Sequence, residues 1–412
     1  MNVGVVSTRF HGTDGVSLEA AKIGDVLEEA EHDVAWFAGE RGDRFQPGAS
    51  HPLAHFKAPA VRRLTEASFG GGTWSPATPE AMESLTRELK DALRRFVDER
   101  GIDVLVAENV LSLPVHLPLG LALSQLLAET GLPAVGHHHD FAWERARFRR
   151  TVVPHLLATA FPPALDNLRH VTIQSTAQEE LERRRGLSSV VLPNVMDFER
   201  GPARPGNGAA YRKAAGLAAE DVLLLQPTRV VPRKGIETTL QLAYELADER
   251  VKVVVSHEEG DEGLEYGGFL RREAERLDVD LRFVPATADP ADEPGRPLLA
   301  DAYAAADLVC YPSRYEGFGN ALLEAFFHRC PVLVNRYPVY ARDIAPTGVR
   351  CIEIEDGELT GEAIKKAGAW LEDPRCYQES VETNYRVGLE RFSYALVRER
   401  LLPLLPAAAA GG

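Results

Sequence analysis

The chain has 412 residues, of which 45% are hydrophobic and 26% are charged, enough for two domains with separate cores. Its net charge of -15 argues against a protein that binds nucleic acid or acidic membranes, since both tasks need a basic surface. The four cysteines lack CxxC spacing, so the sequence indicates neither a zinc site nor a disulfide framework.

The N-terminal segment, MNVGVVST, reads directly as a strand and lacks a basic and apolar leader. No apolar run approaches the ~18 residues that a membrane-spanning helix needs. We therefore expect a cytoplasmic protein without a membrane span. The sequence is compatible with either a monomer or a homodimer.

Short apolar runs alternate with helical stretches along the chain, which is the pattern of βαβ units and parallel sheets. The first series of predicted strands is Val3–Ser7, Val34–Phe37, Val104–Ala107, Ala134–His137, Val171–Gln174 and Val190–Leu192. The second series is Val222–Gln226, Val251–Ser256, Leu281–Val284, Leu308–Tyr311, Val332–Val334 and Cys351–Ile354. A Gly-, Pro- and Ala-rich interval, Gly201–Ala210, separates them. We expect two doubly wound α/β domains, 1–200 and 201–381, with the ligand in the cleft between them.

The first strand is followed by a loop, Gly12–Thr13–Asp14–Gly15, that precedes a helix. Glycines at this point allow a close approach of the backbone to a ligand, although an ordinary βα turn uses glycine too. The loop does not match the G-x-G-x-x-G pattern, which argues against a nicotinamide oxidoreductase.

The second series carries two sets of polar residues, each after a strand. Arg229 and Lys234 follow its first strand, and Glu316 and Glu324 flank a glycine-containing loop and the start of a helix. Unpaired N–H groups at a helix start suit a phosphate, and carboxylates beside them suit sugar hydroxyls. Fixed cations stabilise the negative charge of a departing diphosphate. The combination predicts a site for a sugar nucleotide.

Glu316–Gly317–Phe318–Gly319 with Glu324 resembles the E-x7-E motif of the retaining glycosyltransferases of family 4, which have the GT-B fold. Arg229 and Lys234 resemble the R-x4-K pair of that family. The resemblance extends more thinly from Met1 to about Leu405. It implies two Rossmann-like domains, with the first binding the acceptor and the second the donor, and a final helix at about 382–405 that crosses back to the first domain.

The resemblance also implies roles for these residues. Arg229 and Lys234 would hold the diphosphate, Glu316 the donor sugar and Glu324 the ribose. The full donor set is Gly12, Gly15, Arg229, Lys234, Glu316, Gly317, Phe318, Gly319, Asn320 and Glu324. Since the two cations replace a divalent metal, no metal or other cofactor is expected to be required.

Three histidines and an aspartate, His137–Asp140, end a predicted strand. Neighbours on a strand point to opposite faces, which argues against a metal site that uses all three histidines. The segment resembles the family's His–Asp pair, which assigns His139 to the reacting sugar and to the catalytic set with Arg229, Lys234 and Glu316. The expected acceptor set is Asp14, Asn109, His138, His139, Asp140, Trp143, Arg147 and Arg150.

The arginines after His139 predict an anionic acceptor, because Arg binds carboxylates and phosphates bidentately, whereas a surface helix with Arg–Glu pairs is the alternative. We therefore expect retaining transfer of a glucose- or mannose-type hexose from UDP-, GDP- or ADP-hexose to a small, glycerate-like or sugar-derived hydroxyl acceptor. A sugar-nucleotide 2-epimerase would leave the Arg-rich segment unexplained. A non-catalytic sugar-nucleotide binder would be favoured by a degraded motif, but both motifs are complete.

Overall fold

The computed structural model describes residues 1–12, 14–202, 206–258, 264–287 and 295–406. The chain divides into two compact units. The first comprises Met1–Pro193 and the chain from Ala395 onward, and the second comprises Asn194–Tyr394. The division precedes the predicted linker, of which residues 203–205 lie outside the described part of the chain.

The first unit contains a seven-stranded parallel sheet in the order β3-β2-β1-β4-β5-β6-β7. Its strands are β1 (Asn2–Val6), β2 (Asp33–Ala38), β3 (Gly48–Ser50), β4 (Val104–Glu108), β5 (Ala134–His138), β6 (Leu168–Thr172) and β7 (Val190–Val191). Its helices are α1 (Gly15–Glu29), α2 (Pro59–Ser68), α3 (Thr78–Arg100), α4 (Leu117–Thr130), α5 (Ala146–Arg149), α6 (Pro154–Ala160) and α7 (Ser175–Arg185). The central strands β1, β4 and β5 are almost wholly buried, which explains the apolar runs in β1 and β4.

The second unit contains a six-stranded sheet in the order β10-β9-β8-β11-β12-β13. Its strands are β8 (Val222–Gln226), β9 (Val251–Val255), β10 (Asp280–Phe283), β11 (Leu308–Tyr311), β12 (Val332–Asn335) and β13 (Ile352–Ile354). Its helices are α8 (Gly208–Ala214), α9 (Ile236–Leu246), α10 (Leu264–Leu277), α11 (Leu299–Ala305), α12 (Asn320–Phe327), α13 (Gly361–Glu372) and α14 (Arg375–Arg391). All of its strand pairs are parallel.

The predicted fold class is confirmed, since both sheets have the doubly wound order. The strand order reverses between β1 and β4 in the first unit and between β8 and β11 in the second. Ligands of such sheets bind at the carboxyl ends of the strands on either side of the reversal. The candidate residues in both units follow strands at or beside these points.

The prediction of a single C-terminal helix at about 382–405 is wrong, because this segment forms parts of two helices. The structure has α14 and then a separate helix, α15 (Tyr394–Arg400). Phe392 ends α14 with non-helical φ and ψ angles of -139° and 25°. The carbonyl of Phe392 accepts a hydrogen bond from Met196 N at 2.9 Å. The end of α14 is thus bonded to a residue that lies far away in the sequence. Among the described helices, none is both long and apolar enough to cross a membrane.

Candidate functional site

Two loops of the second unit, 227–235 after β8 and 312–319 after β11, are held together at the reversal point. Arg314 N donates to Arg233 O at 2.9 Å. Gly235 has a φ of 63°, and a Cβ atom there would lie 2.6 Å from Pro312 O. The absence of a side chain at Gly235 thus lets the loops approach closely and brings their charged residues together.

The Glu316 carboxylate lies between two cations of the other loop. Its Oε1 accepts a hydrogen bond from Lys234 Nζ, and its Oε2 accepts one from Arg233 Nη1 at 3.0 Å. Lys234 and Glu316 are both buried, with 8% and 7% of their surface exposed. The sequence analysis did not identify Arg233, whose side chain pairs with Glu316 and also donates to Tyr315 O at 2.8 Å.

The charges of this cluster do not balance, since Arg233 and Lys234 pair with one carboxylate and the charge of Arg229 also acts on Lys234. Burial alone would raise the pKa of Glu316, but the charges of Lys234 and Arg233 outweigh it and lower that pKa. Burial lowers the pKa of Lys234, Glu316 offsets part of that effect, and Arg233 and Arg229 add to the lowering. The two downward shifts have different causes, because positive charge lowers the pKa of Glu316 whereas burial is the largest cause of the shift of Lys234. Two cations around one carboxylate leave a surplus of positive charge that suits an incoming anion.

Arg229 and His257 extend the cluster. The Arg229 side chain is exposed, and His257 follows the neighbouring strand β9. Burial and the charges of Lys234 and Arg229 lower the pKa of His257 to about 4, so the imidazole is neutral near pH 7. Sequence reasoning missed His257, although its position directly beyond a strand next to β8 was a usable signal.

The glycine loop leads into α12 with a backbone that requires glycine. Gly319 has a φ of 135°, and a Cβ atom there would lie 2.4 Å from the Tyr337 hydroxyl. Tyr337 in turn donates to Phe318 O at 2.7 Å and fixes the loop. The first N–H groups of α12, from Asn320 onward, are those that helix geometry leaves without an acceptor in the helix. The Asn320 side chain itself accepts a hydrogen bond from Asn194.

Glu324 lies within α12 and is engaged by a neighbouring helix. Tyr303 donates from its hydroxyl to Glu324 Oε2 at 2.8 Å, and also to Ala321 O at 3.1 Å. Burial, followed by the charge of Glu324, raises the pKa of Tyr303 well above its usual value, so the phenol remains a donor. The predicted ribose contact of Glu324 therefore uses a carboxylate whose orientation Tyr303 fixes.

In the first unit, the ends of β4 and β5 bring Glu108, His137 and His139 together. Glu108 Oε2 lies 2.9 Å from His137 Nδ1 and 3.0 Å from His139 Nε2. His137 and His139 share a face because they are two residues apart on an extended segment. The Glu108 side chain is fully buried, and 7% of His139 is exposed.

The proximity of these groups changes their pKa values. Burial alone would raise the pKa of Glu108, but the two histidines outweigh it and lower that pKa to about 2. Burial alone would lower the pKa of His139, but its hydrogen bond to Glu108 and the charges of Glu108, Glu19 and Asp140 raise it. The cluster therefore favours the charged form of Glu108 and makes His139 a stronger base than a free imidazole.

Glu108, His137 and His139 also form a group that could hold a metal ion, because their ligand atoms lie within 4.8 Å of one another. The sequence argument against a metal overlooked the carboxylate that Glu108 supplies. Both imidazoles lie at hydrogen-bond distances from one carboxylate oxygen, 2.9 and 3.0 Å, and the absence of a metal requirement stays a prediction.

The prediction that His138 binds the acceptor is wrong. His138 has no exposed surface, and its Nε2 lies 3.0 Å from His170 Nδ1 on the opposite face of the strand. Its ring also contacts Phe141, with ring centroids 5.1 Å apart. His138 therefore belongs to the packed interior of the first unit.

Two further residues of the predicted acceptor set, Asn109 and Asp14, make contacts with the backbone. Asn109 Oδ1 accepts hydrogen bonds from the N–H groups of His139 and Asp140 at 3.1 and 3.2 Å, and its φ of 61° suits asparagine. Asp14 caps α1 by accepting from Val16 N and Ser17 N, and it also pairs with Arg9 at 2.8 Å. Both side chains therefore hold loops in place. Gly12 has a φ of 74° in the same loop, Gly15 begins α1, and Thr13 lies outside the described residues.

The segment after His139 is split between structural and exposed residues. Asp140 pairs with Arg145 at 2.5 Å. Trp143 stacks on Phe141 with ring centroids 4.4 Å apart and packs against a small apolar cluster with α7, so its predicted contact with the acceptor stays a prediction, and only the uncovered part of the ring could make that contact.

Arg147 and Arg150 are exposed. Arg147 lines a cavity of about 370 Å³ together with Phe56, Phe69 and Phe148. Arg150, the other arginine predicted to bind the acceptor, does not line this cavity.

Comparisons with known proteins agree with this geometry. Residues 209–382, which contain the whole basic cluster and α12, match the family model of glycosyl transferases group 1. The chain is 32% identical over 431 aligned positions to the mannosylglucosylglycerate synthase of Thermotoga maritima, covering 95% of this chain and 97% of the relative. The chain belongs to the group 1 glycosyltransferases, family 4.

A second relative of this glycosyltransferase is the mannosylglucosylglycerate synthase of Petrotoga mobilis. It is 30% identical over 379 residues, which is 86% of both chains. Among solved structures, Alr3699/HepE of Anabaena in complex with UDP and glucose has a TM-score of 0.68 at 15% identity and covers 98% of this chain and 99% of its own. The latter similarity supports the GT-B fold, and the family membership makes the protein a glycosyltransferase that uses a nucleotide-sugar donor.

Proposed function

We propose that this glycosyltransferase moves a mannose- or glucose-type hexose, with retention of configuration, to a hydroxyl of a small glycerate-containing acceptor. The observation that carries the proposal is the excess of positive charge around Glu316, where Arg229, Arg233 and Lys234 converge beside the start of α12. This arrangement suits the two phosphates of a nucleotide sugar.

The basic cluster favours the transition state more than the ground state. When the bond between the anomeric carbon and the phosphate breaks, negative charge accumulates on the departing diphosphate. Lys234 is held in place by Glu316, and Arg233 is held by Glu316 and Tyr315 O, so these cations need no reorganisation as the charge grows. We infer that this fixed charge performs the task of a divalent metal, which is why transfer is proposed to be metal-independent.

Retention is proposed to proceed without a covalent enzyme intermediate. Both oxygens of Glu316 are occupied by Lys234 and Arg233, which makes this carboxylate a poor nucleophile. In the proposed step, the bond from the anomeric carbon to the phosphate oxygen breaks and a bond to the acceptor oxygen forms on the same face. The acceptor proton passes to an oxygen of the departing phosphate.

The proposed acceptor follows from the names of the two full-length relatives. Both are mannosylglucosylglycerate synthases, a product name that joins a mannosyl, a glucosyl and a glycerate unit. If this chain makes a related product, its acceptor carries the glycerate carboxylate. Exposed Arg147, which borders the cavity of the first unit, is the residue proposed to bind that carboxylate.

The proposal is tested by incubating the enzyme with UDP-, GDP- and ADP-linked glucose or mannose and with glycerate or glucosylglycerate. We expect one donor to give a glycosylated acceptor whose anomeric configuration, measured by NMR, equals that of the donor. An inverted product would overturn retention. Conversion of the donor sugar to its 2-epimer without acceptor would identify a sugar-nucleotide epimerase, and the absence of turnover with every anionic acceptor would reject the acceptor class.

A further inference from the structure

Glu108 and Asn109, two consecutive residues, hold both the ring and the backbone of His139. Glu108 Oε2 accepts from His139 Nε2 at 3.0 Å, and Asn109 Oδ1 accepts from His139 N at 3.1 Å. A fully buried carboxylate persists only where its charge is hydrogen-bonded, so His139 must present its Nε2 proton to Glu108. The contact therefore determines both the tautomer and the orientation of the ring.

His137 stabilises the same carboxylate from a second side. Its Nδ1 lies 2.9 Å from Glu108 Oε2 and 3.1 Å from Oε1. Two imidazole donors on one carboxylate leave it little freedom to rotate. His139 Nδ1, in contrast, has no hydrogen-bond partner among the described residues, so it is the ring nitrogen that remains for a substrate.

We propose that Glu108 is a positioning residue for hexosyl transfer, acting through His139. The inference rests on the proposed function and on the predicted role of His139 at the reacting sugar. Glu108 keeps the proton of the neutral ring on Nε2, directs Nδ1 toward the substrate and stabilises positive charge that develops on the ring. Because the arrangement exists before the substrate binds, no free energy is spent on orienting the ring during the reaction.

A double-mutant cycle of Glu108→Gln and His139→Ala tests the proposal. The glutamine keeps the size of Glu108 but loses its charge. We expect E108Q to lower kcat about 100-fold and to leave the KM for the donor within about twofold, since the donor site lies in the second unit. In the His139→Ala background, E108Q should have no further effect on kcat. An equal loss in both backgrounds would overturn the proposal, because Glu108 would then act independently of His139.

Control variants separate positioning from folding and from a general loss of charge. Glu129→Gln removes an exposed carboxylate of α4 that pairs with Lys90, and it should leave kcat unchanged. If E108Q does not fold, Glu108→Asp is the substitute. Its shorter side chain keeps the charge but moves the carboxylate away from the His139 ring. That variant should also lower kcat at an unchanged KM, and wild-type kcat in it would overturn the proposal.

A spectroscopic readout keeps this inference separate from the proposed function. In protein labelled with ¹⁵N-histidine, long-range correlations identify the protonated nitrogen of His139, and we expect Nε2 in the wild type and a changed pattern in E108Q. If the wild type transfers no hexose, the proposed function fails, while an unchanged His139 spectrum in E108Q would reject the role of Glu108. One equivalent of tightly bound zinc, with activity lost on chelation and restored by zinc, would also overturn it.

Discussion

Lys234 and Glu316 are 82 positions apart in the chain and form a buried ion pair between the loops that follow β8 and β11. The two residues belong to different motifs of the family, and the structure makes them direct partners. Each therefore fixes the other, and the effects of changing them should not be additive.

Lys234→Met should reduce both turnover and stability. The variant leaves Glu316 buried with Arg233 as its remaining cation, and breaking a buried pair costs on the order of 3 kcal/mol. Loss of a fixed charge at the leaving group should lower kcat by roughly 100-fold or more. Adding Glu316→Gln should recover most of the melting temperature but not kcat. Lys213→Met, which removes an exposed lysine of α8, is the control. If the control lost as much turnover and stability as Lys234→Met, the effects would come from the change in net charge and not from the buried pair.

Arg233→Met tests the residue whose role the sequence did not predict. Because Arg233 donates to both Glu316 and Tyr315 O, its removal should loosen the carboxylate and weaken donor binding, and the KM for the donor should rise about tenfold. Arg314→Met is the matched control on the neighbouring loop, since its exposed side chain pairs with Glu237 instead. Steady-state kinetics of both variants provide the comparison. Equal KM values for the two would remove Arg233 from the donor site.

Gly319→Ala should disrupt the loop that precedes α12. The added Cβ atom would meet the Tyr337 hydroxyl at 2.4 Å, and the φ of 135° is one that alanine rarely adopts. We expect a lower melting temperature and a smaller thermal shift with the donor nucleotide. Gly361→Ala at the start of α13 has open space around its Cβ position and should be neutral or slightly stabilising. A normal nucleotide shift in G319A would show that the loop backbone does not bind the donor.

The sequence predicts both sheets because buried parallel strands read as continuous apolar runs. Strand β3 is absent from that prediction since Gly48–Ser50 has no large apolar side chain. Residue types and their positions after strands predict Arg229, Lys234 and Glu316, whose loops do meet at one sheet edge. The partner of each side chain depends on how those loops fold. For this reason the sequence did not predict that Glu316 pairs with Lys234 and Arg233.

Alternation along the strand places His137 and His139 on one face and His138 on the other, as the structure shows, but the predicted acceptor set included both His138 and His139 and did not apply this rule. The acceptor set was less predictable. Polar residues after a strand either bind a ligand or hold the loop itself, and Asn109 and Asp14 hold their loops. Only the geometry separates these two uses, because both need a short side chain with an acceptor oxygen.

Chelation by EDTA should leave transfer activity within about twofold of the untreated rate, because the excess positive charge of the basic cluster stabilises the diphosphate without an ion. The comparison needs enzyme that has been dialysed against EDTA and assayed with and without added Mg²⁺ or Mn²⁺. Complete loss of activity that Mg²⁺ or Mn²⁺ restores would show that the cluster is not sufficient and would reject metal independence.

Stability should fall as the pH decreases from about 6.5 to about 4. Burial lowers the pKa of His116 and of His170 to about 4, whereas an unfolded histidine titrates near 6.5. In this window the unfolded chain binds more protons than the folded one, so protonation favours unfolding, by at most roughly 3 kcal/mol for each residue. Unfolding midpoints in urea, measured between pH 7 and pH 4, provide the test.

His116 allows a sharper form of this test. Its Nδ1 accepts a hydrogen bond from Leu119 N at 3.1 Å at the start of α4, and a proton on that nitrogen would abolish the contact. His116→Asn keeps an acceptor that does not titrate in this range, so it should weaken the pH dependence. His155→Asn, at an exposed position of α6, should retain the wild-type dependence. Identical pH profiles for H116N and the wild type would show that protonation of His116 does not contribute to acid unfolding.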